Sequence, residues 1–252
     1  MSYTSLDELS DPTPMSPSPD RSHDYYWEVV ILQVEDTLFR IPKHQLVGKS
    51  EAFASMLSLP QGSNEPEGFS DDRPIQLSGI KKIDFERLLQ VIYPLDTEKP
   101  PELSLNGWIS VLALSNLWRM TMRKAAIEHL TSKLSEISPV DRVLLGRKYS
   151  VANFISSGYE ELASRVGIVS LEDSERIGLG TALKIQHIRE SLFMERGVIQ
   201  NSYYCVGCRR YNTYSGSYPS APPFAANVVK EKVGSLFEAE LKDVEAEGAR
   251  FG

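Results

Sequence analysis

The sequence predicts an α+β fold, with a small sheet flanked by helices in the first half and an all-α extension after it. Two short strand-like runs near residue 30 are separated by a two-residue polar turn, which is typical of a β-hairpin. From residue 83 to residue 193, apolar residues recur at intervals of three and four, which is typical of amphipathic helices. The chain of 252 residues is long enough for one large domain or two small ones.

Residues 1–24 are rich in serine, proline and aspartate. Such a segment has too little apolar surface to offset the entropy of ordering, so we expect a disordered tail. It lacks the basic start and apolar run of a secretory signal. No apolar stretch in the sequence reaches the roughly 18 residues of a membrane span. We therefore expect a cytoplasmic or nuclear protein without membrane contact.

Order is predicted to begin at Tyr25, and the first strands follow at once. The continuous apolar run 29–32 indicates a strand that is buried on both faces. A polar turn leads to a second strand at 37–41, so that the two form a hairpin. Pro42 ends this strand because proline donates no ladder hydrogen bond, and a polar turn comes next.

A short helix is predicted after Ser50, which is a good N-cap residue. Apolar side chains then recur with helical spacing and share one face: Phe53, Met56 and Leu57. Residues 59–74 have the composition of a loop, and residues 75–77 are expected to form a short third strand.

Three longer helices are predicted next. The first covers 83–93 and ends before Pro94. The second covers 104–120 behind the cap residue Ser104, and apolar residues surround most of it, so we expect it to be central and buried. The third covers 121–134.

Residues 138–199 are predicted to form a helical extension. Ser138 and Ser170 each begin a helix-start pattern with an aspartate three residues later. Helices are expected at about 139–149, 152–165 and 182–193. The last of these has one broad buried face, made by Ala182, Ile185, Ile188, Arg189 and Leu192.

The C-terminal part divides into two segments. Residues 200–227 are rich in tyrosine, serine and proline without periodicity, so we expect a loop. Residues 228–252 are expected to be one helix, at 228–245, with a short tail. The apolar stripe of this helix packs either on its own domain or in the groove of a partner.

The order of the first elements resembles the BTB (POZ) domain, and more narrowly the BTB proteins common in fungi. The matching stretches are LQVEDTLFRIPKHQLVGKSEAFASML (32–57), RPIQLSG (73–79), FERLLQVIYP (85–94), Trp108 with VLALSNLW (111–118), and MRKAAIEHL (122–130). Residues 25–137 are thus identified as a BTB/POZ-like domain. Residues 138–199 resemble the helical extension that follows such domains in fungal relatives.

The resemblance implies a non-enzymatic protein–protein interaction module. It assigns four residues to a helical pair that lies at the core and at a common dimer surface: Leu46, Phe53, Met56 and Leu57. The implied partners are a second copy, as a homodimer, or another BTB protein. A cullin ubiquitin ligase scaffold or a transcriptional complex is a further implied partner, for which the chain would act as a scaffold or adaptor.

Cys205 and Cys208 form the sharpest chemical motif, a CxxC pair. A structural zinc site needs four ligands, and this pair supplies two. A zinc shared between two chains, a redox pair and a role without chemistry remain the three alternatives. The alternative function is accordingly a zinc- or redox-dependent protein that uses this pair; no other cofactor is predicted.

Other chemistries lack support in the sequence. The net charge is −7 with no strongly basic segment, so nucleic acid is not an expected partner. Arg209 and Arg210 lie among tyrosines, which suits stacking on single strands, but they are too few and a loop packed on the protein is favoured. His44 in a polar turn and His129 on the exposed side of a helix have no neighbouring triad residues.

Overall fold

A computed structural model describes residues 20–59, 67–94, 101–165, 168–195, 202–205, 210–213 and 224–251. They form a mixed α+β fold that is mostly helical, which confirms the predicted fold class at this level. Most of the predicted N-terminal tail lies outside the described residues.

A three-stranded sheet opens the fold, with strands β1 (Val29–Val34), β2 (Thr37–Pro42) and β3 (Ile75–Gln76). The order is β2-β1-β3, in which β1 pairs antiparallel with β2 and parallel with β3. The hairpin and the third strand were predicted, and both are confirmed. Val30, Ile31 and Leu32 are buried in succession, because both faces of β1 are covered as its continuous apolar run predicts.

Five helices surround the sheet: α1 (Lys43–Lys49), α2 (Glu51–Ser58), α3 (Lys82–Ile92), α4 (Leu105–Leu117) and α5 (Met122–Ser132). The last four confirm the predicted helices. The polar turn that local composition predicts after β2 is wrong, since this segment is helix α1, where the resemblance implies the first helix of a pair. Its sequence shows one apolar anchor, Leu46, and tertiary packing of that side chain stabilises a helix too short to be stable alone.

Ser50 connects the junction of α1 and α2 to the junction of α4 and α5 by hydrogen bonds. Its Oγ accepts a hydrogen bond from the Phe53 amide (3.2 Å), which is the predicted cap. The same hydroxyl donates to the carbonyl oxygen of Trp118 (2.7 Å). The Thr121 amide also donates to the Lys49 carbonyl (3.0 Å), so the α1–α2 junction is bound to the α4–α5 junction.

The first hydrophobic core lies between this sheet and these helices. Helix α4 is buried around most of its circumference, as predicted. Aromatic rings meet edge to face at its C-terminal end, where the centroid of Trp118 lies 4.9 Å from that of Phe53 and 5.9 Å from that of Phe85.

Four helices form the extension: α6 (Pro139–Tyr149), α7 (Ala152–Ser164), α8 (Leu171–Ile177) and α9 (Leu179–Glu195). The two predicted caps are confirmed, with the amides of Asp141 and Asp173 donating to Ser138 Oγ (3.1 Å) and Ser170 Oγ (3.0 Å). The five residues of the predicted α9 face are all buried, and its apolar members join a second core.

The two cores share helix α7, because Phe154 packs in the first core and Ile155 in the second. Helix α6 lies unusually close to α7. A Cβ atom on Gly158 would lie 2.6 Å from the Pro139 carbonyl oxygen, and one on Gly146 would lie 2.5 Å from Ile155 Cγ1. Glycine at these positions therefore permits the approach of the two helices.

Two predictions for the C-terminal part are wrong. The predicted loop at 200–227 contains an antiparallel hairpin of β4 (Ser202–Cys205) and β5 (Arg210–Thr213), whose tyrosines are favourable in strands. The predicted single helix is two, α10 (Ala226–Leu236) and α11 (Glu238–Gly248), followed by a 3-10 turn at Ala249–Phe251.

The break between α10 and α11 falls at Phe237, which is buried and stacked on Tyr159 with 4.1 Å between ring centroids. A continuous helix would carry α11 on in the direction of α10. The bend instead lets both helices pack against α7, which lies in the extension. In this structure the C-terminal helices thus dock on their own chain, which decides the alternative that the apolar stripe left open.

An ion pair in a hydrogen-bond network fixes α11 in this place. Arg147 Nε donates to Glu240 Oε1 (3.0 Å), and the same guanidinium donates to Tyr159 Oη (2.8 Å), Thr181 Oγ1 (2.7 Å) and the carbonyl of Ile177 (2.5 Å). The Tyr159 hydroxyl donates to the Glu240 carboxylate (2.9 Å). Burial raises the pKa of Tyr159 well above its ordinary value, so the phenol stays a donor.

We expect Glu240→Gln to lower the free energy of unfolding by about 1–3 kcal/mol, because it removes one charge from a partly buried pair and leaves Arg147 without its counter-ion. Urea denaturation of the purified chain measures this. Glu247→Gln, an exposed change on the same helix, is the control and is expected to stay within about 0.5 kcal/mol of the parent. Equal effects of the two changes would contradict the role of the network.

Two glycine substitutions test the close approach of α6 and α7. Gly158→Ala is expected to destabilise the protein by about 1–3 kcal/mol, because the added methyl overlaps the Pro139 carbonyl. Gly234→Ala, in α10 with open space around the position, is expected to stabilise it by about 0.5–1 kcal/mol through helix propensity. Thermal and urea unfolding measure both, and the account fails if Gly158→Ala is neutral.

Candidate interaction surfaces

The structure places the two cysteines at the second hairpin. Cys205 is the last residue of β4, and Cys208 lies in the segment 206–209, outside the described residues. Within the part of the chain that the structure describes, no group of three or more His, Cys, Asp or Glu side chains lies together as metal ligands would. The zinc and redox alternatives therefore stay predictions.

The four residues of the candidate dimer or core face lie against the first core. Leu46 and Phe53 are buried inside their own chain, so they have no surface to offer to a second copy. Met56 and Leu57 are half-buried and pack at the edge of this core. The burial of Leu46 and Phe53 is consistent with the core role that the resemblance implies, and the dimer role of Met56 and Leu57 stays a prediction.

Three adjacent aromatic residues form an exposed surface before the first strand: Tyr25, Tyr26 and Trp27. Their exposed fractions are 81%, 59% and 56%. Large exposed apolar side chains are common singly, whereas a contiguous group is typical of an interaction site. We call this group the aromatic surface. In the sequence these three residues run directly into the apolar residues of the first strand. Periodicity alone therefore does not show that they are exposed while the strand is buried.

The aromatic surface is held beside the start of α1. The Trp27 indole Nε1 donates to the Asp24 carbonyl (2.9 Å), and its ring centroid lies 5.0 Å from that of His44. Glu28 binds Lys43 twice, through its carbonyl oxygen to the amide (2.8 Å) and through Oε2 to Nζ (3.1 Å). These contacts fix the backbone on both sides, so the exposed rings are presented in one place.

The position of His129 in the sequence predicts that it lies on the exposed side of its helix, and this prediction is wrong. It is half-buried and stacks on Trp108, with ring centroids 4.3 Å apart and an interplanar angle of 22°. Trp108 Nε1 and His129 Nε2 are both buried without a hydrogen-bond partner. The prediction failed because α5 crosses α4 at this turn, and helical spacing on α5 alone does not show what α4 places beside it.

No protein-family model matches the sequence, and no curated protein matches it. No helix in the described ranges is long and apolar enough to cross a bilayer.

Replacing His129 tests whether its ring serves only for packing. We expect His129→Phe to leave the free energy of unfolding unchanged or to raise it by up to about 1 kcal/mol, because the stack is kept and a buried unpaired nitrogen is removed. His129→Ala, which removes the stack, is expected to destabilise the protein by about 1–3 kcal/mol. Urea unfolding decides: a large loss in the phenylalanine variant would show that the imidazole nitrogen has a partner.

Proposed function

We propose that the chain is a non-enzymatic protein–protein interaction module of the BTB type and that it associates with a second copy of itself. The observation that carries the proposal is the exposed aromatic surface at the beginning of the first domain. The order of the described elements, β1-β2-α1-α2-β3 and then α3 to α5, supports the BTB assignment because the resemblance implies the same order.

The chemistry of the aromatic surface favours a protein partner. Tyrosine and tryptophan are enriched at protein interfaces, where each buries roughly 150–250 Å² and its polar tip can still hydrogen-bond. Trp27 carries the largest ring and is already oriented by its bond to Asp24 and by His44. Less side-chain entropy of Trp27 is therefore lost on binding, so a partner gains more of the energy of burying this ring.

A second copy is the partner that this geometry suits best. In a two-fold dimer the same patch of each chain lies in the interface, so the interface contains six of these rings. A stable interface covers about 800 Å² per partner, which is more than three side chains supply. Neighbouring surface must therefore take part. Strand β2 is such a neighbour, because it lies at the edge of the sheet and its last residue, Pro42, pairs with Val29, two residues after Trp27.

The buried face behind α1 and α2 has a supporting role in this proposal. Leu46 anchors α1 in the first core, and Lys43 at the start of α1 is bonded to Glu28 next to the aromatic rings. The core therefore sets the position of the surface without forming part of it. The related partners that the resemblance implies, another BTB protein, a cullin scaffold or a transcriptional complex, would then bind the dimer as an adaptor.

Light scattering across a dilution series tests self-association. We expect the full chain to show the mass of two 28.3 kDa protomers at high concentration and to dissociate on dilution. The double variant Tyr25→Ala with Trp27→Ala is expected to weaken the dimer by about a hundredfold or more, since each of the two lost rings removes roughly 1.5–3 kcal/mol of burial. Leu171→Ala, which changes an exposed apolar side chain on α8 in the helical extension, is the control and should dissociate like the parent.

A mass of one chain at every concentration would contradict the proposal. So would a dimer that the double variant leaves unchanged, because the contact would then lie on another face. Titration of the same sample with the N-terminal half of a cullin separates the adaptor role from self-association: binding supports an adaptor, and a dimer that does not bind limits the proposal to self-association.

A further inference from the structure

A pocket of about 420 Å³ opens on the first domain at the C-terminal end of α1. It lies where the α1–α2 junction meets the α4–α5 junction, and the C-terminal 3-10 turn forms its third wall. Its volume falls in the range of about 300–1,000 Å³ that small-molecule sites occupy. Residues distant in sequence meet here, because α11 carries the C-terminal turn back over the first domain.

The polar part of the lining is strongly basic, with five cations: Lys49, Arg119, Arg123, Lys124 and Arg250. The lining contains one carboxylate, Glu51, which lies 3.8 Å from Arg119. Among the described residues, the other four cations form no ion pair with a carboxylate. The protein has a net charge of −7, so this pocket is much more positive than the protein as a whole. We call this site the basic pocket.

Arg123 is held rigidly at the inner side of the basic pocket. Its Nε donates to Asn116 Oδ1 (2.8 Å), and its Nη2 donates to the carbonyl oxygens of Tyr149 (2.9 Å) and Ser150 (3.1 Å). Its Nη1 makes no hydrogen bond within the described part of the chain. Burial lowers the pKa of Arg123, but a guanidinium stays charged at neutral pH. One end of a fixed cation is thus left for an anion.

The start of α5 adds to the unbalanced positive charge. Arg123 and Lys124 lie in its first turn, which contains no acidic residue, and Thr121 caps it without a side-chain hydrogen bond. The N-terminal end of a helix already carries a partial positive charge, so cations there are unfavourable and an anion is favourable. A bound anion would reduce the repulsion between these cations and the helix N-terminus.

Besides Gly48, Ser50 and Thr121, the remaining lining is apolar: Val47, Ala54, Met120 and Phe251. The Phe251 ring lies beside Arg123, with 5.4 Å between the guanidinium carbon and the ring centroid. A ligand that fills the pocket therefore needs an anionic head and a small apolar body. Arginine and lysine together are the residues that bind phosphate groups through charge-assisted hydrogen bonds.

We propose that the basic pocket binds a small organic phosphate monoester, with its phosphate among Arg123, Lys124 and Arg250 and its apolar body against Met120 and Phe251. The site does not depend on self-association, because the pocket does not include the aromatic surface. Its loss and the loss of the dimer are therefore separate results.

Phenyl phosphate is the simplest probe, measured by calorimetry with the full chain at low salt. We expect binding that weakens as salt is added and that is tighter than binding of inorganic phosphate, since the ring contacts Phe251. The double variant Lys124→Gln with Arg250→Gln is expected to weaken binding about tenfold or more. Both positions are exposed, so the fold should be kept, and an unchanged unfolding temperature checks this.

The matched control is Arg40→Gln with Lys81→Gln, which removes the same two charge types from exposed positions outside the pocket and should bind like the parent. Phe251→Ala should reduce phenyl phosphate binding to the level of inorganic phosphate. The proposal is overturned if the parent does not bind phenyl phosphate, or if the pocket variant and the control weaken binding equally, which would show a general charge effect.

Discussion

The close contact between α6 and α7 is the constraint on which the rest of the structure depends. Gly146 and Gly158 remove the side chains that would hold the two backbones apart. At this distance α7 reaches both cores, through Phe154 on one side and Ile155 on the other. The part around the three-stranded sheet and the helical extension are therefore joined by a shared helix. Arg147 and Glu240 then add α11 to the same unit, so that the C-terminal helices complete the second core.

This arrangement determines which surfaces are left for contact. The apolar stripe of the C-terminal helices is used within the chain, so it is not the surface that a partner would bind. The patterned helical pair around Leu46 and Phe53 is used in the first core. The aromatic surface before β1 remains exposed. The return of α11 creates the basic pocket, where Arg250 and Phe251 meet Arg123. Folding of the C-terminus thus forms the basic pocket and leaves the aromatic surface uncovered.

The sequence predicts those elements whose apolar residues keep a regular period and whose ends carry caps. The buried face of α9 and the caps at Ser138 and Ser170 are such cases, because local chemistry decides them. Periodicity alone does not show helix α1, because its one anchor, Leu46, has no apolar partner at helical spacing; only the resemblance implied a helix there. The break at Phe237 was missed because stacking on Tyr159, a tertiary contact, produces it. The candidate sites were harder still. The aromatic surface has the composition of a strand, and the cations of the basic pocket come from three separate stretches that only the fold brings together.

Amide hydrogen exchange of the full chain, followed at low and high protein concentration, tests most directly the claim that the C-terminal helices belong to this folded unit. The account predicts that the amides of α11 are protected to an extent similar to those of α7, and that this protection does not depend on concentration, because the bond of Arg147 to Glu240 is within one chain. Protection of α11 that appears only at high concentration would contradict it, since the helix would then dock on a second molecule.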